Sequence, residues 1–250
     1  MGIVQVKNTM QELKLHGMYD RLDKVLEDRG DTSSLVELLE DLVQAEFDNR
    51  VEKQTISIMK RSKLDEKPQL EDFDFIKGRT ISKSQIKDLY ELTWVKNNRS
   101  IVIDGPTGVG KTFLAKALGT RCCVNRITTL YFDMSRFLEE LNIARSTNSY
   151  LKFLGRLSRP QVLILDDFGL RKLSADQAND LCDLLKARVE KSTIITTQLP
   201  VSHWQEVIED PVIADTLIDR MSHTPIQLHY EGPTYREVIG KKLDKKMGSQ

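Results

Sequence analysis

The sequence contains no long hydrophobic run and no excess of charge of either sign. A membrane-spanning helix needs about 18 or more consecutive apolar residues, and the 250 residues contain no such run. The amino terminus lacks the charged and apolar regions of a secretory signal. Lys and Arg together number 37, as do Asp and Glu, so the formal net charge is zero. We therefore expect a cytoplasmic protein, and any DNA contact would come from a local basic face.

Cysteine is scarce as well. The three cysteines are Cys122, Cys123 and Cys182. An odd number with two adjacent members fits neither a disulfide framework nor a CxxC metal or redox motif. We therefore expect reduced thiols and no zinc site.

The pattern of apolar residues changes near Pro68. Before it, apolar residues repeat at helical spacing, with a break predicted at Gly17 and no strand signal. Ser34 and Glu37 have the spacing of a capping box in front of a helix that we expect to end near Met59. The predicted units are a helical domain that binds a partner or DNA over 1–67, a second domain over 68–236 and a basic tail over 237–250.

The second domain alternates short apolar strands with amphipathic helices. This alternation predicts an α/β fold with a parallel sheet covered on both faces. Capping boxes are expected at Ser174 with Gln177 and at Ser202 with Gln205. Strands are predicted over 100–103, 127–132, 161–165, 193–197 and 225–229. Helices are predicted over 82–95, 112–124, 135–158, 174–190, 202–209 and 211–221.

A phosphate-binding loop follows the first of these strands. The motif G-x-x-x-x-G-K-[ST] is satisfied by Gly105, Pro106, Thr107, Gly108, Val109, Gly110, Lys111 and Thr112, and Phe113 continues into the helix. Glycines allow backbone N–H groups to surround a phosphate, and the helix amino terminus adds partial positive charge. We expect Lys111 to reach the β- and γ-phosphates of ATP and Thr112 to ligate Mg²⁺. A glycine-rich turn before a buried helix is the plainer alternative.

Two carboxylates follow the buried strand at 162–165. In open α/β sheets, ligands bind at the carboxyl ends of the strands, which is where Asp166 and Asp167 fall. Asp166 suits the magnesium ion, and Asp167 is placed to orient or deprotonate a water that attacks the γ-phosphate. An Asp pair that caps a strand before Gly169 is the alternative without a nucleotide.

Polar residues also end the strand at 193–197. A side chain in the run Thr196, Thr197 and Gln198 would hold the attacking water or sense the γ-phosphate. Ordinary polar residues that leave a strand explain the same run equally well.

Arg220 lies late in an apolar helix. An arginine there could reach the γ-phosphate of a neighbouring subunit, as arginine fingers do in trans. An ion pair with Asp215 or Asp219 within the chain is the alternative, and the periodicity does not choose between them.

Taken together, the motifs resemble those of a known family. The segments GPTGVGKTFLAKAL, VLILDDFGL, IITTQLP and DTLIDRM look like an AAA+ ATPase. More narrowly, LKLHGMYDRL, LLEDLVQAEFDNR and LEDFDF are similar to IstB-like transposition helpers, which are relatives of the DnaC and DnaI helicase loaders. The resemblance spans the chain from about Leu13 to Arg236.

The resemblance implies an AAA+ P-loop core with a five-stranded parallel sheet, preceded by a small helical domain. It implies a homo-oligomer that assembles with ATP on double-stranded DNA, remodels it and recruits a partner transposase. By motif matching, Lys111 and Thr112 bind phosphate and metal, and Asp166 binds the metal. Asp167 would then hold the water, Thr197 or Gln198 would be the first sensor, and Arg220 would be the trans-acting finger.

Two departures from the family pattern matter. Many AAA+ proteins have Glu at the position of Asp167, so we expect slow or regulated hydrolysis. About twenty residues follow the last predicted strand, too few for the usual helical lid, and Arg236 is a poor substitute for a lid arginine. We therefore expect the lid to be missing and assembly to precede turnover.

Two basic segments are candidates for DNA contacts. One lies within 135–159, where initiator-type AAA+ relatives insert a DNA-facing element, and the other ends the long amino-terminal helix. The candidates are Arg136, Arg145, Lys152, Arg156 and Arg159, with Lys60, Arg61 and Lys63. We expect contacts to phosphates and DNA shape that are independent of sequence. A solvated helix surface balanced by acidic neighbours explains the first segment equally well.

Two other functions remain open at this point. A replicative helicase loader would use the same ATPase core, would grip a hexameric helicase with its amino-terminal helices and would prefer single-stranded DNA. A small-molecule phosphotransferase would use the same phosphate loop, but the sequence shows no acceptor-site signature.

Overall fold

The computed structural model describes residues 2–27, 34–72, 80–222, 226–232 and 234. The chain forms two compact units, Met1–Ser57 and Ile58–Gln250. The second unit therefore begins before the boundary that the sequence predicts at Pro68. The reason is that Ile58, Leu64 and Leu70 are buried in the hydrophobic core of the second unit.

The first unit is helical, as the periodicity predicts. Its helices are α1 (Ile3–Glu12), α2 (His16–Glu27) and α3 (Leu35–Arg61), of which α3 continues into the second unit. Ser34 begins α3 with the expected capping box, since its N–H donates to Glu37 Oε2 at 2.7 Å and its Oγ accepts from the Glu37 N–H at 3.3 Å. No helix in the described ranges is long and apolar enough to cross a membrane.

The helix break predicted at Gly17 is wrong, because the chain leaves the first helix earlier and glycine is needed here for another reason. The chain leaves α1 before Gly17, through Lys14 with φ 57°, and Gly17 lies in the first turn of α2. A Cβ on Gly17 would lie 2.3 Å from the carbonyl oxygen of Ala45. The Gly17 N–H donates to Glu46 Oε2 at 2.8 Å. Glycine is therefore needed for the close contact between α2 and α3, not for a helix break.

The second unit alternates strands and helices. Its strands are β1 (Ile101–Asp104), β2 (Thr129–Asp133), β3 (Val162–Phe168), β4 (Ser192–Thr197) and β5 (Ile226–His229). Its helices are α4 (Lys83–Tyr90), α5 (Thr93–Lys96), α6 (Lys111–Val124), α7 (Met134–Ser146), α8 (Tyr150–Ser158), α9 (Ala175–Lys186) and α10 (Pro211–Ser222).

In the part of the chain that the structure describes, the five strands form one parallel sheet in the order β2-β3-β4-β1-β5. Successive side chains point to opposite faces of a strand. On β1, Val102 faces a core that contains residues of α7 to α10, whereas Ile101 and Ile103 face a core that contains residues of α4 to α6. Helices therefore cover both faces, which confirms the predicted α/β fold.

Several predicted boundaries move. The helix expected over 82–95 is interrupted at Leu92, where φ is 57°, and the helical material over 135–158 divides at Asn148, where φ is 53°. The helix expected over 202–209 is a 3-10 helix, Val201–Glu206, so the capping box at Ser202 is wrong. Its Gln205 side chain donates instead to Asp215 Oδ1 at 2.7 Å.

Other expectations concern residues outside the described ranges. The predicted absence of a lid, the substitute Arg236 and the basic tail over 237–250 all fall there. The capping box at Ser174 lies within them and is confirmed.

Arg188 holds the carboxyl end of α8 to the start of β4. Its guanidinium donates to the carbonyl oxygens of Leu157 and Pro160, both at 2.9 Å, and to that of Ser192 at 2.6 Å. Burial lowers the pKa of Arg188 to about 10, so it stays charged near neutral pH. Arg188 is 2% exposed, and its bond to Leu157 replaces the helical partner that this carbonyl near the end of α8 lacks.

Arg188→Met should destabilise the second unit by about 3 kcal/mol, because several buried carbonyl groups would lose their donor. Urea unfolding followed by circular dichroism measures this. Lys191→Met is the matched control. Lys191 also donates to carbonyls of the same turn but is only half-buried, so its loss should cost less. Equal stability of Arg188→Met and wild type would contradict the role given to Arg188.

Candidate functional site

The loop between β1 and α6 has the backbone shape of a phosphate cradle. Gly105 has φ 144° and Gly110 has φ 106°, a region that side chains other than glycine rarely adopt. A Cβ on Gly105 would also lie 2.2 Å from the carbonyl oxygen of Tyr230. The loop can therefore take this path only with glycine at these positions.

The predicted phosphate-binding residues all lie in this loop or in the first turn of α6. Gly110 caps α6 without a side-chain hydrogen bond. The first N–H groups of a helix have no partner within the helix and carry partial positive charge. Pro106 and Thr107 are exposed, whereas Val109 is buried and anchors the loop. Such an end can bind an anion, so the cradle fits the phosphates of a nucleotide.

Lys111 is buried at the base of the loop. Its Nζ donates to the carbonyl oxygens of Gly105 at 2.7 Å and Pro106 at 2.8 Å. Burial lowers the pKa of Lys111, while the carboxylates of Asp167 and Asp166 oppose this shift. The side-chain nitrogen is thus held at the loop by two neutral backbone acceptors, which an anionic phosphate could replace.

Asp166 links the loop to the sheet. It is 2% exposed, and its Oδ1 accepts from Thr112 Oγ1 at 3.1 Å. A hydroxyl and a carboxylate are the hard oxygen ligands that Mg²⁺ uses together with substrate phosphates. No cluster of three or more His, Cys, Asp or Glu suited to a metal occurs within the described residues. Thr112 and Asp166 are therefore the residues here that would suit a hard cation.

Two further residues hold Asp166: Tyr131, which no sequence motif indicated, and Thr196, which the sequence indicates only as part of the polar run that ends its strand. Tyr131 Oη donates to Asp166 Oδ2 at 2.7 Å, and Thr196 Oγ1 donates to Asp166 Oδ1. Tyr131 lies on β2 and Thr196 on β4, the two neighbours of β3 in the sheet. Burial, followed by the charge of Asp166, raises the pKa of Tyr131, so it remains a donor. Tyr131 is visible in the sequence as a polar aromatic residue within a predicted strand. Its contact with Asp166 could not be predicted, because the sequence does not show that β2 pairs with β3.

Asp167 has an unusual backbone. Its φ is 61°, and the pairing of β3 with β4 shifts register between Leu165 and Phe168. The Asp167 N–H donates to Thr196 Oγ1 at 2.9 Å. Aspartate tolerates the left-handed region better than most residues. Burial, followed by the carboxylates of Asp166 and Asp133, raises the pKa of Asp167. This bulge brings Asp167 beside Asp166 and Lys111 instead of turning it to the other face.

The predicted sensor residues lie close by but make other contacts. Thr197 accepts from the Leu199 N–H at 3.1 Å and so shapes the turn after β4. Gln198 is exposed just beyond the strand. Thr196 contacts Asp166 directly, and the sensor roles of Thr197 and Gln198 stay predictions.

Arg220 lies on α10 between the buried residues Leu217 and Met221. Its Nε is buried and has no hydrogen-bond partner among the described residues. Of the two alternative partners, Asp215 instead accepts from Gln205.

His229 joins the end of β5 to the end of β1. Its Nδ1 contacts Asp104 Oδ2 and its Nε2 lies 3.0 Å from Glu231 Oε1. Hydrogen bonds to Asp104 and Glu231 raise the pKa of His229. Because Gly105 follows Asp104 directly, this contact supports the start of the phosphate loop.

The predicted DNA-contact residues fall into three groups. Three of them, Lys63, Arg136 and Arg156, converge on one carboxylate, Glu140. Arg145 instead pairs with the buried Asp180 and so has a structural partner. The remaining candidates, Lys60, Arg61, Lys152 and Arg159, are exposed.

Comparison with known proteins assigns the family. The model of the family described as IstB-like ATP binding protein matches residues 8–242. The chain belongs to this family. A candidate ATP-binding protein in an insertion sequence of Mycobacterium tuberculosis is 31% identical to the IstB-like chain over 234 residues, 92% of this chain and 93% of that protein. A candidate insertion-sequence ATP-binding protein of Sinorhizobium fredii is 32% identical over 237 residues, 94% and 92% of the two chains.

Solved structures share the fold of the IstB-like chain. AMPPCP-bound DnaA from Aquifex aeolicus has a TM-score of 0.59 at 20% identity, covering 73% of this chain and 56% of the DnaA chain. The DnaC helicase loader has a TM-score of 0.55 at 22% identity, covering 65% of this chain and 96% of the DnaC chain. The likeness shows an AAA+ P-loop fold, with the parallel five-stranded sheet described above.

The contact of His229 predicts a pH dependence of the stability of this IstB-like protein. Because the pKa of His229 is raised in the folded state, its contribution is complete below the unfolded value of about 6.5 and is lost as the pH rises through the folded value. The His229 side chain is half-exposed, so the melting temperature of His229→Gln should fall below that of wild type by only about 1–2 °C on the acid side. Thermal melts of both proteins, from below about pH 6.5 to above the raised pKa of His229, measure the difference in melting temperature. Parallel curves for the two proteins at every pH would contradict it.

Proposed function

We propose that the protein is an ATPase that assembles with ATP on duplex DNA, remodels it and recruits or stimulates a partner transposase. The observation that carries the ATPase part is the contact of Thr112 with Asp166, which joins the phosphate loop to the carboxylate of β3 in an AAA+ fold. The insertion-sequence origin of its relatives supports the role in transposition.

ATP binding rests on groups that already face the loop. The N–H groups at the start of α6 bind phosphate oxygens. Lys111 exchanges its contacts with the carbonyl oxygens of Gly105 and Pro106 for the β- and γ-phosphates. Thr112 and Asp166 would hold Mg²⁺, which would supply positive charge to neutralise the phosphates. Tyr131 and Thr196 keep the Asp166 carboxylate oriented toward Thr112.

Hydrolysis rests on Asp167. Its raised pKa lies closer to neutrality than that of an ordinary aspartate, which suits a group that takes a proton from water. The nearby charge of Lys111 opposes this shift of the Asp167 pKa. The side chain of Asp167 is one methylene shorter than that of glutamate. We propose that ATP turnover is therefore slow until assembly brings further catalytic groups from a neighbouring subunit to the site.

Arg220 is proposed as one of those groups. A buried guanidinium nitrogen without a partner is costly, and the Nε of Arg220 is in that state among the described residues. A phosphate of a neighbouring subunit's nucleotide would satisfy the same side chain. The roles of Thr197 and Gln198 as sensors are proposed on their position at the end of β4.

The first unit is proposed to bind the partner. Leu35, Leu39, Val43 and Phe47 follow one another on α3 at intervals of four residues, and each is at least 50% exposed. Residues four apart share a helix face. An exposed apolar stripe of this kind is typical of a surface that binds another protein.

Lys111→Ala should abolish nucleotide binding and therefore both assembly and turnover. Asp167→Asn should bind ATP and assemble but lose about 10²-fold or more in turnover, because the proton acceptor is removed. Asparagine also tolerates a positive φ, so the variant keeps the bulge. Binding of a fluorescent ATP analogue and release of phosphate measure the two effects. An unchanged phosphate release rate in Asp167→Asn would remove Asp167 from the mechanism.

Arg220→Ala should bind ATP as wild type does but fail in turnover. Mixing it with Asp167→Asn subunits should restore part of the phosphate release, because one variant supplies the arginine and the other supplies the carboxylate. Each variant alone is the control. Absence of rescue at every mixing ratio would place Arg220 outside a site shared by two subunits.

The assembly itself is tested by imaging the protein on duplex and single-stranded DNA with ATP and with a non-hydrolysable analogue. We expect oligomers on duplex DNA with bound nucleotide and salt-sensitive binding without sequence preference. A protein that stays monomeric on duplex DNA in every nucleotide state would contradict the proposal. Assembly on single strands alone would favour a helicase loader.

A further inference from the structure

A basic cavity lies at the edge strand β2, away from the nucleotide site. It has a volume of about 350 Å³, and its lining includes Arg61, Lys63, Arg156 and Arg159. Thr129, which also lines it, begins β2. The phosphate loop follows the carboxyl end of β1 in the same parallel sheet. The cavity is therefore at the amino ends of the strands and separate from the site proposed for ATP.

The cavity unites the two basic segments that are far apart in sequence. Lys63 follows α3 and Arg156 lies on α8, yet both bond to Glu140, with 3.0 Å between Lys63 Nζ and Glu140 Oε1. The same two cations lie over the ring of Phe132, at 4.0 Å and 5.8 Å from its centroid. These contacts fix the positions of long basic side chains that would otherwise be mobile in solvent.

The cluster formed by Glu140, Lys63, Arg136 and Arg156 carries an excess of positive charge. Glu140 is the acceptor for Lys63, Arg136 and Arg156, so one negative charge faces three positive ones. Although burial opposes the shift, the bonds from Lys63 and Arg156 lower the pKa of Glu140, which keeps it ionised. Arg61 and Arg159 add further positive charge to the cavity lining.

A second, adjoining cavity continues the basic surface. Its lining shares Arg156 and Arg159 with the first cavity and adds Lys152 and Glu140. A single small anion would need only one such pocket. Cations repeated across two adjoining pockets match a polymer that carries a phosphate at every step.

We propose that this cavity binds a backbone phosphate of duplex DNA and that Glu140 is an internal counter-ion that weakens this binding. The proposal rests on the proposed function, since it places the DNA contact of that function. In free protein Glu140 bonds to Lys63 and Arg156. On binding, a DNA phosphate shares these cations with it, which keeps the affinity of each subunit low and makes DNA binding depend on assembly.

The test measures binding of a fluorescein-labelled duplex by anisotropy, with full-length protein and a non-hydrolysable ATP analogue, across a series of salt concentrations. Arg159→Ala should weaken binding by roughly three- to tenfold and reduce the salt slope by about 0.9, the value of one phosphate contact. Glu140→Gln should tighten binding by roughly threefold, since a carboxylate that competes with phosphate is neutralised. Lys87→Ala is the control, because Lys87 is an exposed cation on α4, which lines a separate cavity with β5 at the other sheet edge.

The outcomes separate this proposal from the proposed function. If wild type binds no duplex in any nucleotide state, both are overturned. If wild type binds and Arg159→Ala has the same affinity and salt slope, the cavity is overturned as the contact while the proposed function stands. If Glu140→Gln binds no more tightly than wild type while its thermal unfolding is unchanged, the counter-ion role is overturned. Arg159 is exposed, so its replacement should leave the fold intact.

Discussion

The hydrogen bonds to the buried carboxylate of Asp166 hold the candidate site together. Thr112 reaches it from the phosphate loop, Tyr131 from β2 and Thr196 from β4. A buried carboxylate is costly unless donors surround it, so the three strands and the loop must keep their register for the fold to be stable. The same requirement keeps Asp166 beside Thr112, where the proposed magnesium ion would bind. Stability of the sheet and geometry of the nucleotide site therefore depend on one interaction.

Although the net charge is zero, the charged residues are unevenly distributed around the sheet. Carboxylates gather at the carboxyl ends of the strands, where Asp104, Asp166 and Asp167 face Lys111. Cations gather around Glu140 on α7, beside the edge strand β2. In the proposed function, a neutral chain would bind a nucleotide at the carboxyl ends of the strands and a polyanion at a second surface, the β2 edge of the sheet. Oligomerisation would repeat the second surface along DNA, so a small local excess of charge in each subunit suffices.

Local signals predicted the elements whose determinants are close in sequence. The phosphate loop and the capping boxes at Ser34 and Ser174 depend on residues a few positions apart, and the structure has them. The box at Ser202 failed because Pro200 starts a 3-10 helix there, and its Gln205 bonds to Asp215 of α10. The boundary at Pro68 moved because Ile58, Leu64 and Leu70 pack into the core of the second unit. Such contacts between distant segments leave no periodic signal.

The sequence by itself determined the fold class, because short strands and amphipathic helices alternate along it, and its motifs indicated the family. It also determined the residues of the phosphate loop, because the glycines, the lysine and the threonine of that motif lie within one short stretch of the chain. The tertiary structure alone decided that Tyr131 and Thr196 hold Asp166. It also decided that Lys63, Arg136 and Arg156 converge on Glu140. Strand order and helix packing bring these side chains together across tens of residues. A linear pattern records which residues are present, whereas only the packed sheet sets which of them meet.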